Sequence, residues 1–318
     1  MGEMISTILE NFGLKSHRTC KERGAFICNT LVGDVKITKT NDNPDVIYFA
    51  HAVKEQAAMQ GFLATDRYFT TVTGVPFVRM GFDTFTAVRF VGRRELDLSV
   101  CDDVKQAVKQ LALLHKTLRN VNAKGAMAKN DQAQFMHGEE ILSQGVKQAK
   151  RQKKRTDFDM LLLNNADKYI SLIYNAQAQL SATSYENLFS QAINTGDVCH
   201  NILKEAFLIP AAGELYITHF THAQKNLHIH DLATFIRRYA LKSNRTLSKQ
   251  TLLEIYQEHY PQPTEMREIL DALLLYPAPF LKVLGQYFEK KRRFTPAGIL
   301  QRMESVLDIQ AGYEAYVI

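Results

Sequence analysis

The chain has 318 residues, 46% of them hydrophobic and 23% charged, with a net charge of +6 at neutral pH. That length suits two lobes, since single cores stop growing near ~250–300 residues, and that composition excludes a disordered or fibrous chain. No apolar run approaches the ~18 residues of a membrane span, and a mild positive charge is not by itself the mark of a nucleic-acid binder.

Cys20, Cys28, Cys101 and Cys199 show no CxxC spacing, so structural zinc is not expected and a reducing compartment is the default. The opening MGEMISTILENFGL has an early acid and lacks the basic-then-apolar order of a signal peptide. A cytoplasmic site of synthesis is expected.

In chain order, Met4, Ile5, Ile8, Leu9 and Phe12 predict a short helix over 3–12. Residues 25–31 and 35–39 read as strands joined at Gly33-Asp34. Period-two alternation puts Val35, Ile37 and Lys39 on one face and Lys36 on the other. A helix is predicted over 45–61, with Glu55 inside it and Gly61 as its stop. Strands follow at 68–72, 76–79 and 85–91, which gives an expected five-stranded mixed sheet and a lobe boundary near 91–97.

The remainder reads as mostly helical. Val104, Ala107, Val108, Leu111, Leu114 and His115 share one face of a helix over 104–118. His115 is expected to be a packed helix-face residue. The polar stretch 120–138 reads as a loop or insert. Helices are predicted at 139–152, 157–180 and 184–192, then at 230–241, 248–259, 264–275, 278–291 and 295–310. Two basic runs, Lys147–Arg155 and Lys290–Arg293, read either as anion-binding patches or as solvated helix faces. The second reading is preferred because no aromatic residues interleave to stack bases. Nucleic acid is therefore not an expected partner.

The informative stretch is 193–239. Apolar runs at Asn201–Leu203 and Leu215–Ile217 flank a turn at Pro210–Glu214 and carry polar clusters at their ends. In phosphotransferases such a hairpin supplies a base and an Asn ligand from one cluster and a magnesium-binding Asp from the other. The segment's His200, His219, His222, His228 and His230 have no evident third partner for a zinc site. Cys199 beside His200 reads as a small apolar filler.

Gly196-Asp197, Asn201-Ile202-Leu203, Phe220 and Asp231-Leu232-Ala233 resemble the catalytic segment of the aminoglycoside and choline kinase group. There the pattern is His-Gly-Asp, four residues, Asn-Ile-Leu, then Ile-Asp-Phe or Ile-Asp-Trp and Asp-Leu-Ala. Three departures stand out. Thr195 replaces the leading His, only three residues separate Asp197 from Asn201, and His219 replaces the Asp before the Phe. Within that group the chain is most similar to the spore coat protein CotS family of endospore-forming bacteria. The matching stretches are Gln110-Leu-Ala-Leu-Leu-His115-Lys116, His228–Arg238, Leu274–Phe280, Gln286-Tyr287-Phe288 and Lys290–Phe294.

The resemblance implies an α+β, bilobal, protein kinase-like fold. Residues 1–91 would form a small β-rich N-lobe and 92–318 a helical C-lobe containing the hairpin 193–233. Within it Asp197 would be a vestigial base and Asn201 a metal ligand, with His219 where an Asp is expected. Lys39 and Glu55 would be the nucleotide-binding pair, and Asp231 a structural residue. Lys39 as an exposed strand-end lysine and Glu55 as a surface residue are equal alternatives. Residues 85–92 would stand where a kinase hinge binds adenine through backbone groups. With an Asp lost, magnesium is left short of hard oxygen ligands. The implied function is therefore that of a coat-associated pseudokinase, acting in the mother cell by binding other spore coat proteins. The alternative is an active small-molecule kinase using ATP and magnesium.

Overall fold

Met4, Ile5, Ile8 and Leu9 recur at helical spacing because they share a surface to cover. The computed structural model, which describes residues 2–22, 24–91, 94–201, 206–210, 213–288 and 295–317, places them on α1 (Gly2–Asn11) with Ile5, Ile8 and Leu9 buried. They join Cys28, Val35, Ile37, Val78, Phe85 and Ala87 in one apolar core. That core covers one face of a five-stranded sheet: β1 (Ser16–Glu22), β2 (Ala25–Thr30), β3 (Gly33–Thr40), β4 (Val78–Met80) and β5 (Asp83–Arg89), ordered β1-β2-β3-β5-β4.

Every pair in this sheet is antiparallel, not mixed as expected. Its membership differs too. Residues 68–72 form no strand, and Tyr68 makes a single bridge to Val88. β1, absent from the sequence reading, takes the fifth place. Its residues SHRTCKE are almost wholly exposed, so they carry no buried-face alternation to read. β1 is held by its ladder to β2, and its charges suit an edge strand.

Helix α2 (Pro44–Met59) begins where the Asn43 side chain accepts the Asp45 N–H and Pro44 stands at the first turn. It ends as Gly61, at φ +89°, lets the Gly61 and Phe62 N–H groups reach the Ala58 and Ala57 carbonyls. Beyond the sheet, β6 (Arg94–Glu95) precedes α3 (Cys101–Thr117), and Arg94 binds the Asp103 carboxylate in the first turn of α3.

The two units into which the chain divides are Met1–Met127 with Ala192–His228 and Ile255–Tyr260, and Ala128–Gln191 with Ile229–Glu254 and Pro261–Ile318. The second is helical. It contains α4 (Asp131–Arg151), α5 (Asp157–Ser181), most of α6 (Tyr185–Thr195), α7 (Ile229–Lys242), half of α8 (Lys249–His259), α9 (Glu265–Leu275), α10 (Ala278–Phe288) and α11 (Pro296–Val317). Its core stacks Tyr169 on Phe280 and Phe158 on Tyr287, with ring centroids 3.6 and 3.8 Å apart. Helix α4 starts within the expected loop 120–138. Asn130 caps it by accepting the Ala133 N–H, and Phe135 is buried against Tyr276. The run Lys147–Arg155 is exposed except Ala149, which points inward, and Val146 before it is half-buried. Lys290–Arg293 lies outside the described residues.

The start of α7 is tied to α4 inside this unit. Asp131 accepts a hydrogen bond from the Tyr185 hydroxyl at 3.0 Å, and His230 Nε2 lies 3.5 Å from its other oxygen. Burial disfavours the His230 imidazolium, but the Asp131 hydrogen bond and the charges of Asp131 and Asp231 outweigh it, so its pKa lies above 6.5. A raised pKa means the folded chain holds the extra proton. The stabilisation is complete below 6.5 and is lost as pH rises through the folded value. We expect His230→Gln to lower the thermal midpoint more at pH 6 than at pH 8.5. An equal loss at both would remove His230 as the titrating group.

Candidate functional site

The helical stripe of α2 that buries Ile47, Ala50, Val53 and Ala57 also contains Lys54, which is 1% exposed. An ammonium is not left alone in an apolar core. Lys54 Nζ sits 2.7 Å from both a carboxylate oxygen and the backbone carbonyl of Asp66, and 4.0 Å above the centre of the Tyr68 ring. The Phe220 ring is 5.5 Å away on another element. Burial pulls the Lys54 pKa below 10.5, with Asp66 opposing.

Phe220 opens a single 3-10 turn, Phe220–His222. It follows a three-stranded antiparallel sheet of β6, β8 (Phe207–Ile209) and β9 (Tyr216–Ile217). The expected apolar run at 201–203 falls, after Asn201, outside the described residues, as do 204–205 and 211–212. A second pair, β7 (Val198–Cys199) with β10 (Gln224–Lys225), brackets the turn. β7 runs directly into His200. That ring is fully buried, meets Phe220 edge-on at 4.5 Å, and donates from Nε2 to the Thr218 carbonyl at 2.7 Å.

The next residue, Asn201, has φ +62°, a conformation in which glycine and asparagine are at ease. His219 also has φ +62°. The Thr218 hydroxyl gives its proton to the Ala206 carbonyl at 3.0 Å, so His219 Nδ1, 2.8 Å away, must be the donor between them.

Asp197 sits between α6 and β7, half-buried, and accepts the Thr195 hydroxyl at 3.2 Å. Burial raises its pKa, while the Thr195 hydroxyl and Arg119 work the other way. Its carbonyl takes the Asn226 N–H. The neighbouring Gly196 is at φ +83°, and a Cβ there would come within 2.6 Å of the Val121 carbonyl oxygen.

Lys39 and Glu55 are not paired with each other. Lys39 binds Asp83 at 2.7 Å at the strand end, and Glu55 binds Arg67 through Nε at 2.9 Å. The β3 face that carries Val35 and Ile37 belongs to the α1 core. Lys36, on the opposite face, is near enough to Lys54 to depress its pKa. Gly92 of the expected hinge lies outside the described residues. Asp231 is fully buried in the first turn of α7.

His115 is buried as expected, but it has a partner the sequence did not suggest. It stacks on His228 with centroids 4.5 Å apart, and the two bond to Tyr256 and Tyr260. Among the described residues no three His, Cys, Asp or Glu side chains are grouped to hold a metal. Among the described residues His219 is hydrogen-bonded to the neutral Thr218 hydroxyl, whereas magnesium is ordinarily held by carboxylate oxygens. Sequence reasoning gave Lys54 no role, set Lys36 aside in favour of Lys39, and considered His200 only as a metal ligand. The signal for Lys54 was present, since it falls four residues after Ala50 and three before Ala57 in the apolar stripe.

The architecture is the kinase-like fold of aminoglycoside phosphotransferases, a small antiparallel sheet joined to a larger helical part. An aminoglycoside phosphotransferase from Alicyclobacillus acidocaldarius superposes with a TM-score of 0.84 at 16% identity, over 98% of this chain and 93% of that one. AMP-bound spectinomycin phosphotransferase APH(9)-Ia gives 0.66 at 13% identity, over 99% and 98%. A microcompartment-associated aminopropanol kinase gives 0.61 at 10%, over 99% and 97%. At such identities the likeness establishes the fold alone. The family model described as "Spore coat putative kinase YutH" matches residues 95–317, and the chain belongs to this CotS-like spore coat family. No curated protein sequence matches it.

Removing one partner of a buried ion pair leaves the other charge uncompensated. We expect Lys54→Ala to cost about 3–5 kcal/mol in urea unfolding, and Lys54→Met with Asp66→Leu to recover most of it. A loss below ~1 kcal/mol would rank the pair with ordinary surface bridges.

Proposed function

We propose that this protein is a kinase-like spore coat protein whose phosphotransfer centre no longer transfers phosphate, and that it acts by binding coat proteins during spore formation in the mother cell. One observation carries the first part. The His-x-Asp loop of a kinase-like site is better matched by His200-Asn201-Ile202 than by Thr195-Gly196-Asp197. His200 is the histidine that packs on Phe220, and Asn201 adopts the left-handed backbone that the glycine of His-Gly-Asp accommodates. On this reading the base position falls on Ile202, an alkyl side chain that accepts no proton.

The short Asp197-to-Asn201 spacing then needs no deletion, because Asp197 precedes the loop and Asn201 is not its metal ligand. His219 leaves the second metal position without a carboxylate as well. Phosphoryl transfer depends on positioning and on charge neutralisation by metal, and both supports are removed. Residues 1–91 serve as N-lobe and 92–318 as C-lobe, with 193–233 the remnant of the catalytic hairpin. Membership of a spore coat family supports the coat role.

Titration calorimetry with millimolar ATP, with and without magnesium, tests the reading on wild type, Lys36→Ala, Lys39→Ala and Asp197→Asn. No magnesium-enhanced binding is expected in any of them. Magnesium-dependent binding abolished by Lys36→Ala or Lys39→Ala would show a surviving nucleotide site, and ATP turnover abolished by Asp197→Asn would instead establish an active small-molecule kinase with Asp197 as base.

A further inference from the structure

Six cations fall within nine residues of the second unit: Lys147, Lys150, Arg151, Lys153, Lys154 and Arg155. Every one is exposed, and none makes a side-chain hydrogen bond or ion pair among the described residues. From Ile141 to Asn165 the chain has only two acids to set against them, Asp157 and Asp159. Asp159 is buried and committed to the cap of α5, where its carboxylate accepts the Thr156 N–H and hydroxyl. Asp157 alone is left facing water.

The run is held at both flanks. Two residues before it, Gly145 lies so close to the Phe288 ring that a Cβ would come within 2.7 Å. Three residues after it, Phe158 stacks on Tyr287 with centroids 3.8 Å apart. Tyr287 and Phe288 are the last residues of α10, so the cations stand on packed scaffold and not on a loose tail.

A solvated helix face explains only part of this arrangement. Lys150 and Arg151 lie in the last turn of α4, where the helix dipole favours cations. Lys153, Lys154 and Arg155 follow α4 and directly precede the Thr156 cap of α5. That is the positive end of a helix, where cations are disfavoured, and they also repel the cations beside them. The repulsion is relieved by an anion laid across the corner.

We infer that this corner of α4 and α5 is a docking surface for an acidic segment of a partner polypeptide. Carboxylates at alternate positions of an extended chain lie ~6.8 Å apart, close to the ~6 Å that separates Lys147 from Arg151 along α4. The rings at the corner are stacked on each other, with Phe158 only 3% exposed, so they offer no platform for nucleic-acid bases. Met160, 45% exposed, is a single apolar side chain, too little to anchor the corner in a bilayer. The inference rests on the partner-binding half of the proposed function and names the partner's chemistry.

Fluorescence anisotropy of labelled octaglutamate on the full-length chain, at low salt and without nucleotide, tests it. Wild type is expected to bind, and more weakly as salt is added. Lys153→Gln with Lys154→Gln and Arg155→Gln should weaken binding ~10-fold or more, the scale of three exposed ion pairs. Its thermal midpoint should be no lower than that of wild type, because repulsion at the start of α5 is relieved. A control, Lys15→Gln with Arg18→Gln and Lys21→Gln, removes the same charge from exposed positions of the first unit and should bind as wild type does. No binding by wild type, undiminished binding by the first variant, or an equal loss in the control would overturn the assignment. So would tighter binding of oligothymidylate or of phosphatidylserine vesicles than of octaglutamate. Either result leaves the ATP titration of the phosphotransfer centre unaffected, and the reverse holds.

Discussion

Much of the first unit is arranged around one desolvated ammonium. Lys54 leaves α2 inside its apolar stripe, where water cannot serve it, and its donors must be met by groups fixed elsewhere. Asp66 meets two of them, through its carboxylate and its carbonyl. The Tyr68 face closes over the charge, and the Phe220 ring lies 5.5 Å from it. A buried pair of this kind adds little net stability compared with apolar residues of the same shape, but it is intolerant of any other arrangement. It therefore acts as a register pin. It holds α2, the 66–68 segment and the turn at Phe220 in a single relation.

From Phe220 the constraint passes to the loop after β7. His200 fits against the Phe220 edge and ties its ring nitrogen to the Thr218 carbonyl. Thr218 in turn binds Ala206 and His219. These contacts are aromatic, backbone or hydroxyl in character, and none needs a metal or a nucleotide to form. A kinase-like loop can accordingly stay folded after its carboxylates have gone. On the proposed reading, what has gone is the hard-oxygen ligand set, which contributes nothing to this packing. Scaffold and chemistry rest on different residues here, so they can be separated by substitution.

The sequence was legible where burial imposes a period. The stripe of α2, the apolar face of α3 and most helices of the second unit fell within a few residues of their observed bounds. β1 was not legible, because a strand exposed on nearly every residue has no alternation and is defined only by its ladder to β2. The capped start of α4 was hidden by a composition rich in Ala, Lys and Asn. In the candidate site, alternation along β3 was read correctly, but it does not say which face α1 covers. Val35 and Ile37 point to the α1 core, which leaves Lys36, not Lys39, on the side of Lys54. That choice depends on which side of the sheet α1 covers, and no local pattern in β3 contains it. The pairing of His115 with His228 is a contact across 113 positions of sequence, invisible to any window.

Local rules that a chain breaks without compensation are informative about its use. Lys54 is a charged group in a core, but it is paired with Asp66, and its role is architectural. Gln110 lies in a similar stripe on α3 with its carbonyl oxygen unmatched. A leucine there would continue the apolar face formed by Val104, Ala107, Val108, Leu111 and Leu114 and remove the desolvation cost. Packing alone gives no reason for an amide at that position, and neither does the Phe220 turn, which it does not touch.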